Sequence, residues 1–272
     1  IPAGDADKYG VRSCFIAPPG KLRMVADYTA LELYIMADWM IRILGDHTLL
    51  EALQSGDVYA AAAKRTWPDR LAGIEASEVK EHADPAIRKL RADAKVIVLS
   101  SNYLKSVGGL ALQLDCSVEA AQAHADAYSR AFPGIPAMQR WAADYARRHG
   151  GVRTLVGRFR ELPDIHDPRE WVSAKAERQA INTIVQGSAA EVVFGAMIGV
   201  ERGRYDTVLQ VHDELVLDVP RLADPRTDPK RSNLGRMKEV QRLMALGGED
   251  IGIPTPVSIE YHPGNWAEGV AV

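Results

Sequence analysis

Two stretches of alternating hydrophobicity end on carboxylates, and they constrain the fold of this chain more than any other feature. From Val208 to Val219 a pattern of Val and Leu is interrupted by three polar residues, His212-Asp213-Glu214. Apolar runs on either side of a short polar bend read as two strands joined by a tight turn. Far upstream, Leu22 to Ala26 leads into Asp27-Tyr28, and Thr29-Ala30-Leu31-Glu32 follows with the form of a capping box. Asp27 is therefore expected at a strand-to-helix junction. Carboxylates at strand ends are costly to bury without a cation. Mg²⁺ takes one or two protein carboxylates and completes its shell with water and phosphate oxygens, so Asp27 and Asp213 suit a shared pair of such ions. Each motif taken singly is also compatible with an ordinary acidic loop.

Composition excludes little. With 272 residues and 47% apolar content, the chain suits one large domain or two lobes with a sizeable core. A net charge of −3 argues against a surface that binds nucleic acid everywhere, so that role falls to local clusters such as Arg88-Lys89-Leu90-Arg91, Arg147-Arg148, Arg153 to Arg160 and Arg226 to Arg236. Any of these is equally a solvated face. Cys14 and Cys116 are far apart and lack metal-ligand spacing, as expected of reduced thiols in an intracellular protein. No apolar run approaches the roughly 20 residues needed to cross a bilayer, and no charged-then-apolar leader opens the chain. The expected location is cytoplasmic, with no membrane partner.

Punctuation divides the chain further. Residues 1 to about 12 read as a polar leader, 13 to 27 as short strands, and 29 to 44 as a helix with Leu33, Met36, Ala37, Met40 and Leu44 at helical spacing. A largely helical block follows from about 46 to 149, broken at Gly and Pro positions. Within it, Asp84 as N-cap and Pro85 in the first turn start a helix expected to run until just before Gly108. The β-branched run Lys95-Val96-Ile97-Val98-Leu99 is the competing signal, which alone suggests a strand. Residues 150 to 168 suggest a hairpin, 170 to 199 a long helix, and 207 to 219 the acidic hairpin. Arg221 to Ser232 reads as a loop, 233 to 246 as a helix and 255 to 261 as a closing strand.

Arg91 and Lys95 lie one helical turn apart and project from one face, Arg as a planar fork and Lys as a point charge, an arrangement that taken alone reads as a solvated helical face. Leu99 and Tyr103 continue the same stripe. Together the residues resemble the A-family (polymerase I-like) DNA polymerases. Asp27-Tyr28-Thr29-Ala30-Leu31-Glu32-Leu33 is similar to the family's motif A, Arg91 to Tyr103 to motif B, and Val211-His212-Asp213-Glu214 to motif C. Glu177 to Ala190, Thr154 to Pro163, Phe15 to Gly20 and Gly264-Asn265-Trp266 are also similar in order and spacing, so the resemblance covers nearly the whole chain.

The resemblance implies an α+β fold: an antiparallel-sheet palm (1–45 and 170–272) with an inserted, mostly helical fingers subdomain (46–169, motif B helix about 85–107). No thumb is expected in the matched segment, and an upstream thumb or nuclease region of a longer protein, or an accessory subunit, is the expected further partner. Implied is a DNA-directed DNA polymerase of phage or mobile-element type. It would bind a DNA primer-template and dNTPs, and use two Mg²⁺ held by Asp27, Tyr28 and Asp213. Glu214 is a nearby catalytic carboxylate. Arg91, Lys95, Leu99, Tyr103, Glu32 and Tyr59 are implied at the nucleotide, and His212, Gln186, Asn182 and Arg178 at the primer-template. Arg178, Asn182 and Gln186, at i, i+4 and i+8, form a polar stripe able to reach the minor-groove acceptors present in every base pair. Glu32 has a second reading as the capping-box partner of Thr29. Several residues depart from the family pattern. Leu99 stands where many members carry an aromatic ring, Leu104 replaces a glycine, and Ala30 and Tyr34 replace a glutamine and an arginine. These departures keep a rival reading open, a weak or inactive primer-template binding module. A metal-dependent nuclease leaves the Arg91 to Tyr103 stripe unexplained.

Overall fold

The computed structural model describes residues 7–221, 233–249, 251–262, 264–267 and 269–271. The expected loop at 222–232, most of the Arg226 to Arg236 cluster and the first six residues of the leader lie outside them. In chain order, β1 (Lys21–Tyr28) leads into α1 (Leu31–Leu44), followed by α2 (Thr48–Gln54), α3 (Val58–Thr66), α4 (Ala76–Val79) and α5 (Pro85–Asn102). Then come α6 (Val107–Leu114), α7 (Val118–Ala131), α8 (Gly134–His149) and the short strands β2 (Gly151–Arg153) and β3 (Phe159–Glu161). The chain continues through α9 (Glu170–Asn182), α10 (Ser188–Arg202), β4 (Asp206–Val211), β5 (Glu214–Pro220), α11 (Asn233–Glu249), β6 (Val257–His262) and β7 (Val270–Ala271). The fold is α+β. It forms two compact units, Ile1–Glu32 with Gln186–Val272, and Leu33–Val185. Those limits fall inside α1 and at the turn between α9 and α10; the expected subdomain limits at 45/46 and 169/170 lie at the outer ends of the same helices.

The first unit is built on an antiparallel sheet of order β4-β5-β1-β6-β7. Successive residues of a strand face opposite sides, so Leu22, Met24, Ala26 and Tyr28 share one face of β1 and Arg23, Val25 and Asp27 the other. The first face packs toward α11, and the Tyr28 hydroxyl donates to the Met244 carbonyl at 2.6 Å. On the second, Val25 pairs with Val216 and both lie under Trp266, with Phe15, Leu209 and Val211 packed around them. A buried ion pair, Arg23 with Asp218 at 3.0 Å, closes one end of this face; the acidic residues occupy the other.

In the second unit α5 packs against α3, α6 and α7. Its buried stripe, Leu90, Ala94, Ile97 and Val98, has helical spacing. That packing settles the competing strand signal in favour of helix, because Ile97 and Val98 gain a core by coiling. Asp84 caps the helix by accepting from the Ala86 N–H at 2.8 Å, and Pro85 occupies the first turn. The helix stops at Asn102, short of the expected 107. Tyr103 leaves helical geometry, Leu104 adopts a left-handed backbone (φ 52°), and Ser106 caps a new helix that contains Gly108 and Gly109. The terminal carbonyls of α5 are not left bare, since Gln139 Nε2 donates to Ser101 O and Asn102 O.

Other expectations need correcting. Val11–Cys14 is a 3₁₀ turn rather than a strand, and Ile16 makes only an isolated bridge to Asn265. Helical geometry begins at Leu31, two residues later than expected, and Ala30 before it takes a left-handed φ of 57°. The long helix of 170–199 is interrupted by a π-helical turn, Thr183–Gly187. Side chains support that turn: Trp39 Nε1 donates to Ile184 O at 3.0 Å and Arg160 donates to Thr183 Oγ1 at 3.1 Å. The whole run Glu170–Arg202 is long and apolar enough to cross a membrane by composition, and half of its apolar window is buried within the protein. Scanning for an unbroken apolar run misses it, because polar residues interrupt the window.

Candidate active site

The acidic hairpin has the form its sequence suggests. β4 and β5 pair through a two-residue connection, His212-Asp213, with His212 in the left-handed region (φ 55°) and exposed. Gln210 Nε2 donates to the His212 carbonyl across the bend. Glu214 opens β5 directly opposite Asp27 on β1, and the Tyr28 N–H donates to the Asp213 carbonyl at 3.4 Å. Asp27, Asp213 and Glu214 thus gather at one end of the sheet. On the other flank of β1, Ser258 pairs with Asp27, and Glu260 pairs with Val25 on the Asp27 face.

Burial raises all three carboxyls. Burial, then the charges of Asp213, Glu214 and Glu260, push Asp27 up to about 7, with Arg12 acting in the opposite sense. Burial also raises Asp213 and Glu214, the latter against the pull of Arg12. A divalent cation fits such a place, because it restores the ionised form that the neighbours oppose. Among the described residues no three His, Cys, Asp or Glu side chains form a ready-made cage. Two carboxylates plus the Tyr28 main-chain carbonyl would leave the remaining positions to water and phosphate oxygens, as Mg²⁺ prefers. Tyr28 has only that carbonyl to offer, since its side chain is committed to the opposite face.

In the second unit α5 brings Arg91, Lys95 and Leu99 onto one face, and Tyr103 follows as its C-terminal cap residue. Lys95 and Leu99 are exposed, and Arg91 and Tyr103 half-buried. Tyr59 belongs with them: Arg91 Cζ and Lys95 Nζ each lie 5.6 Å from the centre of its ring. Arg91 is not a free cation, because its Nε donates to Asp57 Oδ2 at 2.6 Å. Asp57 uses its other oxygen to cap α3, accepting from the Tyr59 and Ala60 N–H groups. The Gly56-Asp57 punctuation signals this cap in the sequence but gives no hint of its Arg91 partner.

Arg178 and Gln186 are exposed, and Asn182 has a buried Oδ1 with no hydrogen-bond partner. The π turn winds with more residues per turn than α9, so Gln186 departs from the even i, i+4, i+8 stripe expected of one continuous helix. Glu32 sits in the first turn of α1, five residues after Asp27. Sequence reasoning missed Arg12 and Glu260 at the acidic site, since neither stands in a motif and only strand register and a distant turn bring them there.

An antiparallel sheet with acidic strand ends, joined to a helical unit that displays two cations in line, makes this a palm-bearing α+β protein. A family model for DNA polymerase family A matches residues 1–268, and the chain belongs to that family. It is 32% identical to DNA polymerase I of Chloroflexus aurantiacus over 98% of its own length and 26% of that protein's. It is 37% identical to DNA polymerase I of Streptococcus pneumoniae TIGR4 over 89% of its length and 26% of that protein's. The POL domain of Pol1 from M. smegmatis, solved in complex with DNA primer-template and dNTP, aligns with a TM-score of 0.78 and 30% identity over 95% of this chain and 42% of that one. The chain spans about a quarter of the length of the curated relatives it matches.

Proposed function

We propose that this segment carries the polymerising site of a cytoplasmic, template-directed DNA polymerase, with residues 1–45 and 170–272 as palm, 46–169 as fingers, and two Mg²⁺ as cofactor. The observation that carries this reading is the register of the sheet, which sets Asp27 opposite Glu214 beside the Asp213 bend, where burial raises all three carboxyls. In the reaction the primer 3′-hydroxyl oxygen bonds to the α-phosphorus of a dNTP while the bond to the bridging oxygen breaks. Diphosphate leaves, and the hydroxyl proton passes to solvent. Asp27, Asp213 and the Tyr28 carbonyl would hold the ions, which when bound would supply activation of the hydroxyl and stabilisation of the leaving oxygen.

The remaining work falls to charge and position. Lys95 is exposed and meets the triphosphate as a point charge, while Arg91, oriented by Asp57, offers its remaining N–H groups. Leu99 and Tyr103 pack at the base and sugar, and Tyr59 backs both cations. Glu32 faces C2′ of the incoming sugar. Arg178, Asn182, Gln186 and His212 hold the primer-template; the unpartnered Asn182 Oδ1 supports a ligand role for that side chain. The Asp57 pairing and the early end of α5 favour the rival reading, a module that binds primer-template without extending it. Primer extension decides between them. The polymerase reading expects added nucleotides that follow the template, with ribonucleotides admitted more readily by Glu32→Ala. Tight primer-template binding with no extension in Mg²⁺ or Mn²⁺ would establish the rival.

A further inference from the structure

Arg12 faces the acidic strand ends from a segment that the reaction above does not use. It is the second residue of the 3₁₀ turn Val11–Cys14, which is fastened at its start by Asp7: that carboxylate accepts from the Val11 N–H at 2.7 Å and the Arg12 N–H at 2.9 Å. The guanidinium lies 4.2 Å from the centre of the Trp266 ring and 4.0 Å from Glu214 Oε2. The side chains of Arg12 and Glu214 are only 16% and 17% exposed. Trp266 is itself seated on Val25 and Val216, so the cation rests on a ring fixed to the sheet. A flat guanidinium can stack on an indole while its edge N–H groups reach a carboxylate, which an ammonium does less well.

We propose that Arg12 is a positioning residue for the metal site: it draws Glu214 toward Trp266 by one oxygen, keeps that carboxylate out of the metal shell, and so leaves the ions to Asp27 and Asp213. The inference rests on the metal reading above. Glu214 stands directly opposite Asp27 in the sheet, so backbone placement alone does not exclude it as a ligand. Its second oxygen, Oε1, is buried and has no hydrogen-bond partner, an acceptor that a cation would take if the side chain were released. A third protein carboxylate in the shell would occupy positions that Mg²⁺ needs for phosphate oxygens.

The test is Mn²⁺ binding by titration calorimetry on protein free of DNA and nucleotide, with a thermal melt of each variant. Arg12→Gln is expected to bind Mn²⁺ about threefold more tightly or better, because Glu214 joins the shell. Arg12→Lys keeps the charge and stays nearer the wild type. Glu214→Gln abolishes the gain when combined with Arg12→Gln, the signature of action through one partner. Unchanged or weaker binding in Arg12→Gln, or a gain that persists in the double variant, overturns the proposal. Should Arg12→Gln fail to fold, Glu214→Gln alone decides. Affinity within about twofold of wild type supports a Glu214 held outside the shell, and a larger loss makes it a ligand and the inference wrong. Asp27→Asn serves as control. If it keeps full Mn²⁺ affinity, the metal reading itself fails; if it loses affinity while Arg12→Gln changes nothing, only the Arg12 inference fails.

Discussion

At the scale of single residues, the acidic site is held together against its own repulsion. Asp27 stands at about 7 instead of its ordinary 3.8, so the folded protein binds that proton more tightly than the unfolded chain does. The sign follows by linkage. Below about pH 4 the group costs nothing, between 4 and 7 the cost of ionising it in the fold grows, and above 7 the cost is complete. Asp213 and Glu214 are raised as well and act in the same direction. Asp27→Asn should therefore stabilise the metal-free protein at pH 8 by on the order of 1–2 kcal/mol, a figure reduced for the carboxyl's partial access to water. At pH 4 the two proteins should melt together, and Mg²⁺ should narrow the gap at pH 8 by stabilising only the wild type. Denaturation at both pH values, with and without Mg²⁺, checks this. A metal-free variant no more stable than wild type at pH 8 contradicts it. Arg12 and Asp57 could not be anticipated at this scale, because each acts on a residue tens or hundreds of positions away.

At the scale of elements, close approach of α10 and α11 depends on which glycine faces which backbone. A Cβ built on Gly247 would lie 2.7 Å from the Val192 carbonyl, whereas one on exposed Gly195 meets nothing nearer than the Gly247 Cα at 3.7 Å. Gly195→Ala should stabilise by about 0.5–1 kcal/mol, the helix-propensity gain alone. Gly247→Ala should cost about 1–3 kcal/mol, because main chain rather than a flexible side chain must move. Denaturant midpoints of the two variants test the pair, and equal effects would sink the packing argument. Much of the element structure is legible in the sequence: the Asp84-Pro85 start of α5, the two-residue bend at His212-Asp213, and the hairpin near 151–161 each follow from local chemistry. The breaks are less legible. Leu104 and Ala30 adopt backbone conformations that leucine and alanine disfavour, and the π turn is supported by Trp39 and Arg160 from outside its own helix. Nothing in the flanking residues announces these features.

At the scale of the whole molecule, the order of motifs along the chain was the strongest signal, and the family match spans the same length. The net charge of −3 is distributed accordingly, with the acidic residues of the sheet in one unit and the α5 cations in the other. The central claim is that carboxylates at the ends of β1 and the β4–β5 bend make a metal-dependent polymerising site. Single-turnover primer extension by Asp213→Asn, with primer-template affinity measured on the same preparation, tests it most directly. Extension should fall by at least about 10²- to 10³-fold, as when a main source of transition-state charge stabilisation is removed. Primer-template affinity should remain close to wild type. Extension at a near wild-type rate with Asn at position 213 would contradict it.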